Sequence, residues 1–309
     1  MAFGHDTTTN EILETIDLSG KTALVTGASG GLGAETARAL ASRGATVTLA
    51  VRNVAKGEEV AQTIRESTGS EIDVVALELD SPPSVRACAE AWLSRHGVLN
   101  LLINNAGVMA CPLARTGEGW EIQFATNHLG HFLLTMSLLP ALRDGAPARI
   151  VNLSSGAHRF GGIDFDDIHF DDREYNKFAA YGQSKTANIL FAVELGCRLA
   201  GSGVTINAVH PGVIMTDLGR HLTPEDLAGF PGATSVEDMV FKTVESGAAT
   251  SVWAATAAEL EGRSGLYLED CGVASPATED GVQVGYSSWA MDPEAAARLF
   301  ELSEQLVGI

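Results

Sequence analysis

Short runs of Val, Ile and Leu recur along the chain, each followed by a longer stretch in which apolar residues return every three or four positions. The runs are TALVTG (22–27), TVTLAV (46–51), IDVVALEL (72–79), LNLLINN (99–105), ARIVNLS (148–154), VTINAVH (204–210) and SGLYLE (264–269). Apolar runs of this length suit strands covered on both faces, and the helical period between them, as in LGAETARALASRG (32–44), predicts helices. Strands separated by crossovers imply an α/β fold, a doubly wound, mostly parallel seven-stranded sheet with helices on both faces. No repeat, low-complexity tract or polar linker divides the chain. We therefore expect an N-terminal extension over 1–18 and a single domain over 19–309 that includes a helix near DPEAAARLFELSEQL (292–306).

Composition narrows the partners. The 309 residues are 45% hydrophobic, enough for a substantial core, and carry 39 acids against 20 bases for a formal charge of -19. Without a basic run, nucleic acid and anionic membrane surfaces are poor partners. Cys88, Cys111, Cys197 and Cys271 are scattered and show neither C-x-x-C nor Cys/His spacing, which disfavours a disulfide framework or a zinc site and fits a reducing cytosol. The richest apolar run, FLLTMSLLPAL (132–142), falls short of the roughly 18 residues of a membrane span. The first twenty residues have no basic and apolar leader pattern. A cytoplasmic protein is expected.

The first strand leads into VTGASGGLGAETARAL, where Gly27, Ser29, Gly30, Gly31, Leu32 and Gly33 precede and enter a helix. Glycines let backbone approach a ligand closely, and a helix N-terminus offers free N–H groups and a positive dipole end, so the stretch is a candidate pyrophosphate cradle. In AAYGQSKTAN (179–188), Tyr181 and Lys185 stand four apart, which on a helix puts both on one face. A nearby ammonium stabilises phenolate and should draw the tyrosine down from its ordinary value near 10, making it a general acid and base.

The glycine spacing is T-G-x-x-x-G-x-G from Thr26. NNAG (104–107), NHLGHF (127–132), NLSS (152–155), YGQSK (181–185) and HPGVIMT (210–216) follow it in order. Over nearly its whole length the sequence resembles the short-chain dehydrogenase/reductase family, which implies a Rossmann-type fold and a nicotinamide cofactor. By that resemblance Tyr181 exchanges the substrate proton and Ser155, rather than its neighbour Ser154, holds the same oxygen. Lys185 also binds the nicotinamide ribose, and Asn127 holds a water that links Lys185 to solvent. Asn105, Ala106 and Gly107 lie along the cofactor, Asp80 sits beside the adenine, and Pro211, Gly212 and Thr216 receive the nicotinamide end. At the end of the second strand Val51 stands where an NAD-selective enzyme has an acid, followed by Arg52 and Lys56. That favours the 2′-phosphate of NADP, with NAD the alternative.

His128, His131, His158 and His210 invite a metal or triad reading, but HLGH supplies two histidines without a third ligand, and NLSSG is not a nucleophile elbow. No metal is expected. The 26 residues from Ser155 to Tyr181 are about twice the spacing of standard-length members, and the surplus carries Phe160, Phe165, Phe170 and Phe178 among aspartates. This spacer, NHLGHFLL and GLYLEDC resemble the retinol dehydrogenase, WW-domain oxidoreductase and protochlorophyllide reductase branch. The branch implies a hydrophobic alcohol, aldehyde or ketone as substrate, in a pocket shaped by loops 156–180 and 217–240. The four phenylalanines line that pocket or anchor the loop. Retinol itself is not carried across, because members acting on retinoids often have a membrane anchor. Family habit implies a homodimer or homotetramer. A nucleotide-sugar epimerase would show a different glycine spacing and a larger C-terminal domain, and a dinucleotide-binding scaffold or sensor would not need the proton-transfer set.

Overall fold

The computed structural model describes residues 3–223, 226, 241–278 and 284–309. Seven parallel strands form the body of one sheet: β1 Thr22–Thr26, β2 Thr46–Val51, β3 Ile72–Ala76, β4 Leu101–Asn104, β5 Ala148–Leu153, β6 Val204–His210 and β7 Tyr267–Glu269. An eighth, β8 (Gly272–Val273), pairs antiparallel with β7, so the order is 3-2-1-4-5-6-7-8. The seven expected strands are present, and β8 adds a two-residue edge too short to leave a periodic signal. Strand order reverses between β1 and β4, which opens a crevice at their carboxyl ends, where α/β proteins bind ligands.

Helices cover both faces. Against one face pack α2 (Gly31–Ala41), α3 (Val54–Thr68) and α8 (Val244–Thr256), through Leu40, Ile64 and Val252. The short α1 (Thr9–Ile12) joins this layer, and Ile12, Leu13 and Leu18 of the N-terminal segment are buried in its core. The other face carries α4 (Pro82–Leu93), α6 (Gly130–Asp144), α7 (Lys177–Arg198) and α9 (Pro293–Val307). A three-residue helix, α5 (Ile122–Phe124), runs through a π-helical turn at Ala125–Leu129 into α6. Local chemistry sets the ends: Asn53, Ser81, Asn176 and Asp292 accept N–H bonds as N-caps, and Gly69 and Gly308 adopt the left-handed conformation that terminates α3 and α9. α9 lies over α7, with Phe300 against Phe132 and Phe191 at ring distances of 5.0 and 6.2 Å. Of the 22 residues in α7, 16 are buried, so this helix is held by sheet and helix alike.

Candidate active site

One threonine joins the ends of β1 and β4. Thr26 Oγ1 accepts the amide N–H of Asn105 and of Ala106, each at 2.9 Å, and the Asn105 carboxamide donates to the Thr26 carbonyl at 2.8 Å. His131 Nδ1–H donates to the Asn127 carbonyl at 3.0 Å, which leaves Nε2 bare to accept the Thr26 hydroxyl at 2.9 Å. Burial pushes the His131 pKa down to about 4, which keeps this chain of bonds in one arrangement. Sequence reasoning missed it. Thr26 was visible only as part of the glycine motif, and its partner His131 lies 105 residues away.

The glycine turn follows. Gly27 and Gly31 have φ of +66° and +55°, and a Cβ on Gly33 would stand 2.5 Å from Asn105 Nδ2 and 2.6 Å from the Gly27 carbonyl. Only glycine lets α2 start this close to the turn. No side chain caps the first amides of α2, so these N–H groups fit a dinucleotide pyrophosphate. Ser29 is half-buried within the turn, and Leu32 packs beside Ile214 over Gly247. Thr216 comes within 3.5 Å of the Cβ position of Gly31 and caps the Leu218 amide. The segment after β6 thus runs back over the turn.

At the end of β2, Val51 is buried and Arg52 is exposed. Lys56 Nζ reaches to 3.8 Å from the Cβ position of Gly30 and lies 3.6 Å from the Asp217 carboxylate. Asp80 is half-buried beyond β3 and does not cap the next helix, since Ser81 has that role. Gly130 makes room there: a Cβ on it would stand 2.2 Å from the Leu79 carbonyl.

Tyr181 and Lys185 face one space from α7, both 4% exposed. Lys185 Nζ donates to the Leu153 carbonyl at 3.0 Å and lies 5.7 Å from the Tyr181 ring centre. The Ser155 side chain is close enough to the Tyr181 phenol to draw its pKa down, whereas Ser154 Oγ donates to the Lys185 carbonyl at 2.8 Å, so the later serine is the one beside the phenol. Asn127 spends its carboxamide on the backbone opposite: Oδ1 accepts the Val108 N–H at 2.8 Å, and Nδ2 donates to the Val108 carbonyl and to Ser184 Oγ, each at 2.9 Å. A Cβ on Gly107 would lie 3.2 Å from Asn127 Oδ1 and 3.6 Å from Lys185 Nζ. Asn127 and Lys185 therefore meet at the NNAG turn, with Tyr181 and Ser155 next to Lys185.

The electrostatics correct one expectation. Burial pushes the Tyr181 phenol up to about 12, against the smaller pull of the Ser155 side chain, and burial pushes the Lys185 amine down to about 7. Withdrawal from water disfavours phenolate and ammonium alike, so the same burial raises the one group and lowers the other.

Pro211 and Gly212 leave β6 in a turn where Gly212 has φ +94° and packs on the Lys242 stem. Lys242 Nζ pairs with Asp270 at 2.5 Å. Two further groups escaped the sequence reading because their partners are remote. The Tyr175 hydroxyl donates to the Cys111 carbonyl at 2.9 Å, tying the long spacer to the segment after β4. The buried Glu121 carboxylate lies 3.2 Å from that hydroxyl and accepts the Gln123 and Phe124 N–H groups. The spacer is also organised from within: Asp167 accepts N–H bonds from Asp171, Asp172 and Arg173, while Gln183 of α7 donates to the Ile168 carbonyl. Phe170 is sandwiched between Tyr175 and the Arg173 guanidinium, and Phe165 lies under Arg298. These rings anchor the loop. A cavity of about 480 Å³ between Phe160, Phe165, Arg173, Gln183 and Arg298 lies on the face of α7 opposite Tyr181. Among the described residues no group of three His, Cys, Asp or Glu side chains is placed to hold a metal ion.

Known proteins match this sequence and this fold. The short chain dehydrogenase family model matches residues 21–227. Retinol dehydrogenase 12 of Mus musculus is 44% identical over 295 residues, covering 95% of this chain and 88% of the relative. A crystal structure from Mycobacterium paratuberculosis, 36% identical, superposes with a TM-score of 0.76 and covers 98% of both chains. The NADP active-site complex of Pseudomonas aeruginosa RhlG, 26% identical, gives 0.64 over 82% of this chain and 95% of its own. With the glycine turn at the sheet's switch point and the serine, tyrosine and lysine gathered beside it, the chain belongs to the short-chain dehydrogenase/reductase family, in its retinol dehydrogenase-like branch, and is an oxidoreductase.

Proposed function

We propose that the protein is an NADP-dependent oxidoreductase that interconverts a bulky, apolar alcohol with its ketone or aldehyde. The observation that carries this reading is the placement of Tyr181 and Lys185 on one buried face of α7, with Lys185 Nζ 5.7 Å from the phenol ring and 3.6 Å from the Cβ position of Gly107 in the NNAG turn, and Ser155 beside the phenol. The cofactor, when bound, supplies or accepts the hydride. Gly27, Ser29, Gly30, Gly31, Leu32 and Gly33 would hold its pyrophosphate, and Arg52 and Lys56 its 2′-phosphate. Asp80 would face the adenine. Asn105, Ala106, Gly107, Pro211, Gly212 and Thr216 would flank the nicotinamide half, with Lys185 Nζ on the ribose hydroxyls. A phenol held above its ordinary pKa is protonated at neutral pH and suits the reductive direction. Tyr181 would give its proton to the carbonyl oxygen while the Ser155 hydroxyl steadies that oxygen. Asn127 would keep the Val108 backbone in place and, with its remaining lone pair, hold the water that resupplies the proton.

Exposed Leu113, Val213 and Met215, on the segments after β4 and β6, support an apolar substrate. No helix among the described residues is long and apolar enough to cross a membrane, in keeping with the cytoplasmic location we propose. Self-association, by the same reading, would use a face other than the side of α7 that α9 covers. The test is NADPH absorbance during incubation with aromatic and aliphatic carbonyls. Tyr181→Phe should lower kcat by about 10²–10⁴-fold and leave NADPH affinity unchanged, and unaltered turnover would reject the assignment.

A further inference from the structure

The peptide group that follows Ser155 is gripped at both ends by imidazoles. His158 Nδ1 lies 2.7 Å from the Ser155 carbonyl, and His158 Nε2 receives the Ser287 amide at 3.2 Å. A carbonyl only accepts and an amide N–H only donates, so the His158 proton is on Nδ1. His210 has the opposite tautomer. Its Nδ1 faces two N–H donors, Gly156 at 3.2 Å and Gly212 at 3.4 Å, and is therefore bare. The Gly156 amide belongs to the same peptide unit as the Ser155 carbonyl, while Gly212 lies in the turn after β6.

We propose that His210 is a positioning residue that locks the Ser155 turn to the 211–213 turn through one shared acceptor nitrogen. The proposal rests on the reading of these turns as substrate and nicotinamide sites. Two neighbouring strands, β5 and β6, end in these turns, and nothing in the strand pairing itself fixes the angle at which each leaves the sheet. A single nitrogen bound to both does. The surroundings keep that nitrogen available: burial, with Arg159, His158 and Lys242 nearby and only Asp270 opposing, holds the ring neutral, with its pKa pushed down to about 3. The turns are packed as well as bonded. A Cβ on Gly156 would stand 2.8 Å from Arg159 Nη2, and one on Gly212 would stand 2.8 Å from Lys242 Cδ and Cε. Small displacements of either turn would shift the Ser155 hydroxyl relative to the nicotinamide, which is where misplacement is costly.

Asparagine and glutamine separate this role from simple filling of space. Asn Oδ1 can take the place of Nδ1, whereas the Gln side chain reaches the place of Nε2. We therefore compare His210→Asn and His210→Gln by amide hydrogen exchange at Gly156 and Gly212 in the protein alone, and by kcat/KM at saturating NADPH. His210→Gln should speed both amides and lower kcat/KM by about tenfold, while His210→Asn stays within about threefold of the parent. Unchanged exchange in His210→Gln, or faster exchange without loss of kcat/KM, would overturn the proposal. So would equal losses in the two variants, the result expected of a purely structural residue. Failure of the parent protein to oxidise NADPH with any carbonyl would instead remove the reaction assigned above, and the exchange comparison would still decide whether the two turns share an acceptor.

Discussion

Lowering the pH from 7 to 5 should remove much of the protein's stability, because its interior histidines are held uncharged. An unfolded histidine takes up a proton near pH 6.5, but burial pushes His128 down to about 3 and His131 and His158 to about 4. Between those values the unfolded chain binds protons that the folded chain refuses, so the stabilisation is complete above about pH 6.5 and is lost as the pH falls toward the folded values. At pH 5 the deficit is roughly 2 kcal/mol for each group and roughly 6 kcal/mol for the three. His210, also held down to about 3, acts in the same sense and deepens the deficit. Domains have about 5–15 kcal/mol in all, so unfolding near pH 5 is expected. Glu121 and Glu269, raised by burial, act in the opposite sense and return part of the slope at the acid end. Urea titrations followed by tryptophan fluorescence from pH 7.5 to 5 give the proton uptake on unfolding from the slope of stability against pH. An uptake of about three near pH 5.5 is expected, and a value below one would refute the reasoning. Since His131 joins Thr26 to Asn127 and His158 holds the Ser155 carbonyl, loss of activity should follow the same curve.

Arg52→Ala should weaken NADPH by about tenfold and change NADH little in fluorescence titrations; equal losses would defeat the 2′-phosphate assignment. Thr26→Val strands the Asn105 and Ala106 amides and His131 Nε2, and should cost about 3 kcal/mol in urea unfolding. Gly130→Ala forces a methyl toward the Leu79 carbonyl, and a loss of about 1–3 kcal/mol with weakened cofactor binding is expected. A stability equal to the parent's would mean that α6 and the end of β3 can move apart freely.

How much of this was legible depended on whether the information is local. Val, Ile and Leu runs placed seven strands, and glycine chemistry placed the turn after β1, because both are written into a few neighbouring residues. Tyr181 and Lys185 shared a face for the same reason. The Thr26–His131–Asn127 chain was not legible, since strand order alone brings residues 105 apart within hydrogen-bond distance. The direction of the Tyr181 shift was lost for a related reason: exclusion of water is a property of all that packs around α7, including Phe300 from the far end of the chain. Ser154 and Ser155 are equivalent as letters, and the direction each side chain takes separates them.

The stretch between Ser155 and Tyr181 carries its own internal scaffold, with Asp167 gathering three amides and Phe170 clasped by Arg173 and Tyr175. A segment held by bonds of its own and by Gln183 and Tyr175 at its base can exchange its outward residues without disturbing the helix that follows it. Substitutions on its outer surface should therefore leave α7 and the placement of Tyr181 and Lys185 intact, which makes this stretch tolerant ground for sequence variation.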